Sequence, residues 1–185
     1  MSTAKRHLSI RSAKTGRPFW GDASGASALE FALVALPFTL LLLAVLEVGI
    51  VYFATSELDN AVVEGARLIR TGQAQNQNFD ASAFKTKVCT HLSAPIRCSG
   101  LMLDVRHFSN FSSINLTNPL DANGNLKTTF SYDPGVGGDV VVVRAFYDWG
   151  LTAKLPKEIA LSNMSNGDRL LISTAAFRNE PFQTP

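Results

Sequence analysis

The chain has 185 residues and a mass of 20.0 kDa, which is enough for one modest domain with an attached segment. Its charged fraction of 17% is below the roughly 25% usual in soluble domains, and its mean hydropathy of +0.10 excludes a disordered, highly charged chain. A net charge of +2 gives no support for nucleic-acid binding, and two cysteines exclude a disulfide-dense mini-protein and an all-cysteine zinc site.

Positive charge is concentrated at the N-terminus. Residues 1–25 carry five lysines and arginines against a single acidic residue, Asp22, whereas residues 55–185 carry twelve basic and twelve acidic residues. Basic residues that flank a membrane span stay on its cytoplasmic side. We therefore interpret residues 1–25 as a basic cytoplasmic leader rather than a nucleic-acid-binding arm, because an apolar segment follows so closely.

An apolar segment of 24 residues runs from Phe31 to Ala54 and contains no lysine or arginine. As a helix it would be roughly 36 Å long, which is sufficient for a hydrocarbon core of about 30 Å. This predicts one membrane span at about residues 31–54. A cleavable secretory signal is the alternative, but its apolar region is usually only about 7–15 residues long.

A possible processing site lies just before this span. Cleavage after Gly25 would free the α-amino group of Ala26, and the carboxylate of Glu30 could then pair with such an amine on a neighbouring subunit. Glu30 and Phe31 would be the fifth and sixth residues of the shortened chain, an arrangement that resembles the class III prepilin signal. The simpler alternative is that Gly25 only begins a helix and that Glu30 reaches the membrane interface.

Over residues 25–67 the chain resembles the TadE-like family, the minor pilins or pseudopilins of the tight-adherence (Flp-type) pilus. The residues that carry the resemblance are Glu30-Phe31-Ala32-Leu33, Pro37, Glu47-x-Gly49 and Asn60-Ala61-x-x-Glu64-Gly65-Ala66-Arg67, with weaker similarity at Phe177-Arg178-Asn179-Glu180-Pro181-Phe182. The resemblance implies a pilus assembly protein in the inner membrane whose C-terminal domain is periplasmic. The partners it implies are a prepilin peptidase, other minor pilins and pilus assembly proteins.

Glu47 is a second acidic residue within the apolar segment. It follows Glu30 by 17 residues, or about 25 Å along a helix, so the two carboxylates would lie near opposite edges of a hydrocarbon layer. Glu47 either extends to the outer interface or makes a polar contact with another subunit.

Helical spacing continues beyond the span. Leu58, Val62, Gly65 and Ile69 form an apolar face that we expect to pack on a domain, and Gly72 is a plausible stop. The predicted organisation is therefore a leader at 1–25, a long helix at 26–72 and a periplasmic domain at 73–185.

The periplasmic domain is predicted to have an α+β fold. Residues 73–78 are interpreted as a polar linker, and Asp80 as the cap of a helix over residues 81–92. Strands are predicted at Leu101–Phe108, Asp139–Trp149 and Arg169–Phe177, with a long loop over residues 109–133. The simplest arrangement is a three-stranded, mainly antiparallel sheet with one or two helices.

Cys89 and Cys98 are expected to form a disulfide in an oxidising periplasm, contributing roughly 2–3 kcal/mol. The alternative is a metal site formed by both cysteines with His91 and His107. No catalytic motif is present, and Asp104 and His107 lie too close along one strand to make a triad. We therefore expect no enzyme, no cofactor and no small-molecule substrate. An unprocessed membrane-anchored binding protein and a tethered enzyme remain the competing interpretations.

Overall fold

The computed structural model describes residues 25–150 and 161–183, so the predicted leader lies outside the described residues except for Gly25. The elements, in chain order, are α1 (Ala26–Arg70), α2 (Gln73–Asn76), α3 (Ala81–Cys89), β1 (Leu101–Phe108), β2 (Val140–Trp149) and β3 (Arg169–Arg178). The predicted α+β fold is confirmed. Two compact units divide between Leu40 and Leu41, and the second contains the whole sheet.

Helix α1 has 45 residues, or roughly 68 Å at about 1.5 Å per residue. Pro37 lies inside it, and the hydroxyl of Thr39 donates to the carbonyl of Ala35 at 2.7 Å one turn away. Within the described residues, α1 is the one helix long and apolar enough to cross a membrane. Its buried residues begin at Glu47 and end at Ile69, so only its second half contributes to the domain core.

The sheet is antiparallel, with the strand order β1-β2-β3. Leu101 pairs with Tyr147 at one end of the β1–β2 ladder, and Val140 pairs with Arg178 at one end of the β2–β3 ladder. The central strand β2 is covered on both faces, which explains its unbroken run of four valines. β1 has the predicted bounds, β2 begins one residue later than predicted, and β3 ends one residue later.

One face of the sheet packs against α1 and α3. Leu58, Val62 and Ile69 of the predicted apolar face of α1 are fully buried there. Phe84 and Val88 of α3 belong to the same buried cluster. The opposite face is covered by the segment between β1 and β2, whose Leu120, Leu126 and Phe130 pack around Phe146. The predicted loop therefore forms the second apolar layer of the domain.

Two short stretches differ from the prediction. The polar linker contains the one-turn helix α2, because Ala74 is buried against the core. The capped helix α3 ends at Cys89 rather than at residue 92, since the next three amides bond to carbonyls three residues back and tighten the last turn. The cap is as predicted, with Asp80 Oδ1 accepting from the amide of Ala83 at 2.7 Å.

Candidate functional site

The candidate functional site is helix α1, beginning at the predicted cleavage position. The helix begins at Ala26, directly after Gly25, and both residues are exposed. A side chain added at Gly25 would meet nothing within 4 Å. Glu30 is also exposed and makes no ion pair with any residue in the described part of the chain. Within the described residues, the start of α1 and the Glu30 carboxylate are thus exposed.

The first half of α1 exposes an apolar surface on every side. Residues 26–46 comprise 21 residues, or roughly 31 Å of helix, and contain one charged residue, Glu30. Phe31 is 74% exposed and Leu33 68% exposed. An apolar surface of this size indicates contact with lipid or with partner helices. The length agrees with a hydrocarbon core of about 30 Å.

Glu47 is the first residue along α1 that the domain buries. Its side chain is only 4% exposed, and Oε1 accepts a hydrogen bond from the backbone amide of Leu161 at 3.3 Å. Oε2 is buried and has no hydrogen-bond partner in the part of the chain that the structure describes. The carboxylate of Glu47 is therefore directed into the chain's own domain, and its position near the outer interface stays a prediction. A contact between Glu47 and another subunit stays a prediction.

The second half of α1 approaches α3 closely at Gly65. A Cβ placed on Gly65 would lie 2.6 Å from Cγ2 of Val88 and 3.3 Å from Cζ of Phe84. Because these distances are shorter than van der Waals contact, glycine is required for the two helices to pack at this separation. Glu64 and Arg67 also form an ion pair, at 3.1 Å on the exposed side of the helix.

Replacing Gly65 with leucine is expected to destabilise the domain by about 1–3 kcal/mol, because α3 must move away from α1. Gly49→Leu is the matched control, since an added Cβ there meets nothing within 4 Å. Urea unfolding of the detergent-solubilised full chain would measure both variants. Equal stability of the two variants would show that the close approach at Gly65 is unimportant.

The C-terminal segment holds the end of α1. The amide of Glu180 donates to the carbonyl of Arg70 at 2.9 Å, and their side chains form an ion pair at 3.5 Å. The ring of Phe182 packs over Gly72, whose φ of 77° is the left-handed conformation that glycine favours. Asn179 is buried and donates to two carbonyls before β2, those of Pro134 and Val136. Residues 177–182, the segment with weaker similarity to the TadE-like family, thus connect α1 to the sheet.

A buried ion pair that the sequence pattern did not predict crosses the sheet. Asp104 of β1 faces Arg144 of β2 directly, and its carboxylate accepts from the guanidinium Nε of Arg144 at 3.1 Å. Arg106 and the amide of Ser131 also donate to Asp104, each at 3.1 Å. The available signal was a charged residue after an apolar run in each strand, but pairing Asp104 with Arg144 needs the register of the sheet.

Cys89, His91, Cys98 and His107 do not converge on a metal site. Cys89 and Cys98 form the predicted disulfide, with their Cα atoms 5.5 Å apart. His107 instead pairs with Asp133, with Nδ1 and Oδ2 3.0 Å apart, and His91 is exposed. No group of three or more potential metal-ligating side chains occurs within residues 25–150 and 161–183.

Comparison with known proteins identifies the N-terminal part of the chain. A family model described as TadE-like protein matches residues 25–67, which confirms the resemblance to the TadE-like family over that segment. The match begins at the predicted cleavage glycine and includes both Glu30 and Gly65. Neither the curated proteins nor the solved structures contain a significant match to the chain.

Proposed function

We propose that this protein is a minor pilin or pseudopilin that takes part in assembling a tight-adherence pilus. The observation that carries the proposal is the TadE-like match to residues 25–67, which coincides with an apolar helix exposed along its first half. The role is structural: α1 anchors the chain, and the domain contacts other pilus proteins.

In this proposal the chain crosses the inner membrane once. The basic leader stays in the cytoplasm, the exposed half of α1 lies in the bilayer, and the sheet domain is periplasmic. The burial of Glu47 supports an outer limit to the lipid-covered segment near this residue, because the domain begins to cover the helix there. A disulfide between Cys89 and Cys98 agrees with export, since disulfides persist in oxidising compartments.

Processing by a prepilin peptidase after Gly25 is the second part of the proposal. The scissile bond would lie at the exposed N-terminus of α1, where a Cβ added at Gly25 would meet nothing within 4 Å. Cleavage would remove the basic leader and leave Ala26 with a free α-amino group. The chain would then enter or initiate a filament with the helix as its attachment.

Glu30 would act as a register residue during assembly. A carboxylate in an apolar environment is costly unless it is paired, and an α-amino group of a neighbouring subunit is a suitable partner. Because Glu30 is exposed in the single chain, that pairing is available to another molecule. Phe31, also exposed, would pack against the neighbouring helix.

The variant Glu30→Gln tests this role. We expect it to reach the membrane in the wild-type amount but to restore few pili in cells that lack the native gene, because the amide cannot form the ion pair. Asp59→Asn is the matched control, since Asp59 is an exposed carboxylate on the periplasmic part of the same helix. Pili would be counted by electron microscopy and membrane protein by immunoblotting.

Two results would contradict the proposal at different levels. Normal piliation by cells that lack the gene would exclude a required role in the pilus. Full piliation by Glu30→Gln would exclude the register role while leaving the pilus function intact. An unprocessed chain that nevertheless supports normal pili would favour a permanently anchored scaffold.

A further inference from the structure

One face of α1 stays exposed and apolar beyond the residue where the domain begins to cover the helix. Four exposed side chains, spaced four, three and four residues apart, form this face, here called the exposed stripe: Leu41, Val45, Val48 and Tyr52. Val48 is 53% exposed and Tyr52 is 75% exposed. Burial by the domain begins at Glu47, which lies on a different side of the helix. The domain therefore covers one side of this segment and leaves the stripe uncovered.

The same face becomes polar within two turns after Tyr52. Ser56 and Asp59 continue the spacing of the stripe, and both are exposed. Residues 48–56 contain no charged side chain, so Asp59 is the first charge on this face beyond Leu41. A helix face that changes from apolar to charged in this way is typical of the boundary between a bilayer and water.

The carboxylate of Glu47 is held away from the stripe. Its Oε1 accepts from the amide of Leu161, and the carbonyl of Leu161 accepts from Arg169 Nη1 at 2.8 Å. Both charged side chains are therefore bonded to the backbone of the domain. Because a charge that faces lipid is costly, this arrangement allows the apolar stripe to continue past Glu47.

The axial distances match the polar layer of a bilayer. The hydrocarbon core is about 30 Å thick and the whole bilayer about 40–45 Å, so each polar layer is about 5–8 Å thick. If the core ends near residue 46, Val48 lies about 3 Å and Tyr52 about 9 Å beyond it along the helix. Tyrosine is enriched at this level, because its ring is apolar and its hydroxyl is polar.

The size of the side chains favours lipid over another helix as the occupant of the stripe. Close contacts between membrane helices are enriched in small residues, because the two backbones must approach each other. The stripe instead presents leucine, valine and tyrosine side chains, which project from the helix surface. Lipid and headgroups adapt to such side chains without a matching pocket.

We infer that the outer end of the exposed stripe, Val48 and Tyr52, inserts into the phospholipid headgroup layer and seats the domain directly against the bilayer. No linker separates the domain from the membrane surface, since Val51 and Ala54 on the covered side of α1 already belong to the domain core. The inference rests on the membrane span in the proposed function and adds the level at which the domain sits. It holds whether or not the chain is processed after Gly25.

Spin labels along one helix face test the inference on the full chain. Single cysteines would replace Leu41, Val48, Tyr52 and Asp59, with labelling in the absence of reductant so that the native disulfide stays intact. In nanodiscs of phosphatidylethanolamine and phosphatidylglycerol, electron paramagnetic resonance would compare accessibility to oxygen, which enters lipid, and to a water-soluble nickel chelate. We expect the ratio of oxygen to nickel accessibility to fall stepwise from Leu41 through Val48 and Tyr52 to Asp59.

The outcomes separate this inference from the proposed membrane span. A label at Tyr52 as accessible to nickel as one at Asp59, with Leu41 still in lipid, would overturn the inference and leave the span intact. Nickel access at Leu41 would contradict both. A Tyr52 label that neither reagent reaches, with dipolar broadening that disappears on dilution with unlabelled protein, would overturn lipid as the occupant and assign the stripe to a second copy.

A second measurement keeps an aromatic side chain at the boundary. Tyr52→Trp and Asp59→Trp would be compared by fluorescence after subtraction of the wild-type emission, because both variants retain the two native tryptophans. Emission from Tyr52→Trp is expected at shorter wavelength, with quenching by lipids brominated near the headgroup. Equal emission wavelengths and no quenching in folded Tyr52→Trp protein would also overturn the inference.

Discussion

Replacing Asp104 with alanine is expected to lower the free energy of unfolding by about 3–5 kcal/mol. The variant leaves Arg144 buried without the carboxylate that faces it across the strands, and a buried unpaired charge is strongly destabilising. It also leaves the amide of Ser131 without its side-chain acceptor. Urea unfolding of the detergent-solubilised chain, followed by near-ultraviolet circular dichroism, would measure the change.

Asp133→Ala is the matched control for this prediction. Asp133 also pairs with a basic residue, His107, but its side chain is 55% exposed. Exposed pairs contribute about 0–1 kcal/mol, so the control should be close to the wild type. A similar small loss in both variants would show that the Asp104–Arg144 pair contributes no more than an exposed one.

The same ion pair predicts a pH dependence. Burial alone would raise the pKa of Asp104, but hydrogen bonds from Arg144 and Arg106 outweigh burial and hold it below the ordinary value of 3.8. The ionised carboxylate therefore contributes stability above pH 3.8, and this contribution is lost as pH falls through the lowered pKa. We expect the wild type to lose stability more steeply than Asp104→Ala in that acidic range. Parallel curves would contradict the assignment.

Removing the disulfide is expected to cost roughly 2–3 kcal/mol in the double variant Cys89→Ser with Cys98→Ser. The bridge joins the end of α3 to the turn before β1 and closes a short loop, with a sequence separation of 9. Without it, α3 would be held against Gly65 by packing alone. Thermal unfolding with and without reductant would measure the effect.

Reductant provides the internal control for the disulfide prediction. It should destabilise the wild type by about as much as the double substitution and should leave the double variant unchanged. Two cysteines that react freely with a thiol label in the exported protein would contradict the pairing.

The regular elements were predictable because local patterns determine them. The apolar stretch of α1, the capping aspartate before α3 and the valine run of β2 each specify an element without knowledge of the rest of the chain. The face of α1 that packs on the domain followed from its helical spacing. The same local pattern predicted that Gly25 and Glu30 lie at the start of α1.

The contacts between distant segments could not be predicted from those patterns. Asp104 and Arg144 are 40 residues apart and meet only because of the β1–β2 register. Glu47 is directed into the domain by Leu161, which is 114 residues further along the chain. Gly65 was read as part of an apolar face, whereas its lack of a side chain is what allows α3 to approach. Such features depend on tertiary packing, which one sequence does not display.

The most direct test of the proposed function is the intact mass of the membrane-extracted chain, measured in cells with and without a prepilin peptidase. The account predicts a chain that begins at Ala26 when the peptidase is present and at the original N-terminus when it is absent. Gly25→Leu should also keep the leader, because the bulky side chain obstructs recognition while the fold has room for it. A full-length chain in peptidase-containing cells that assemble pili would contradict the account.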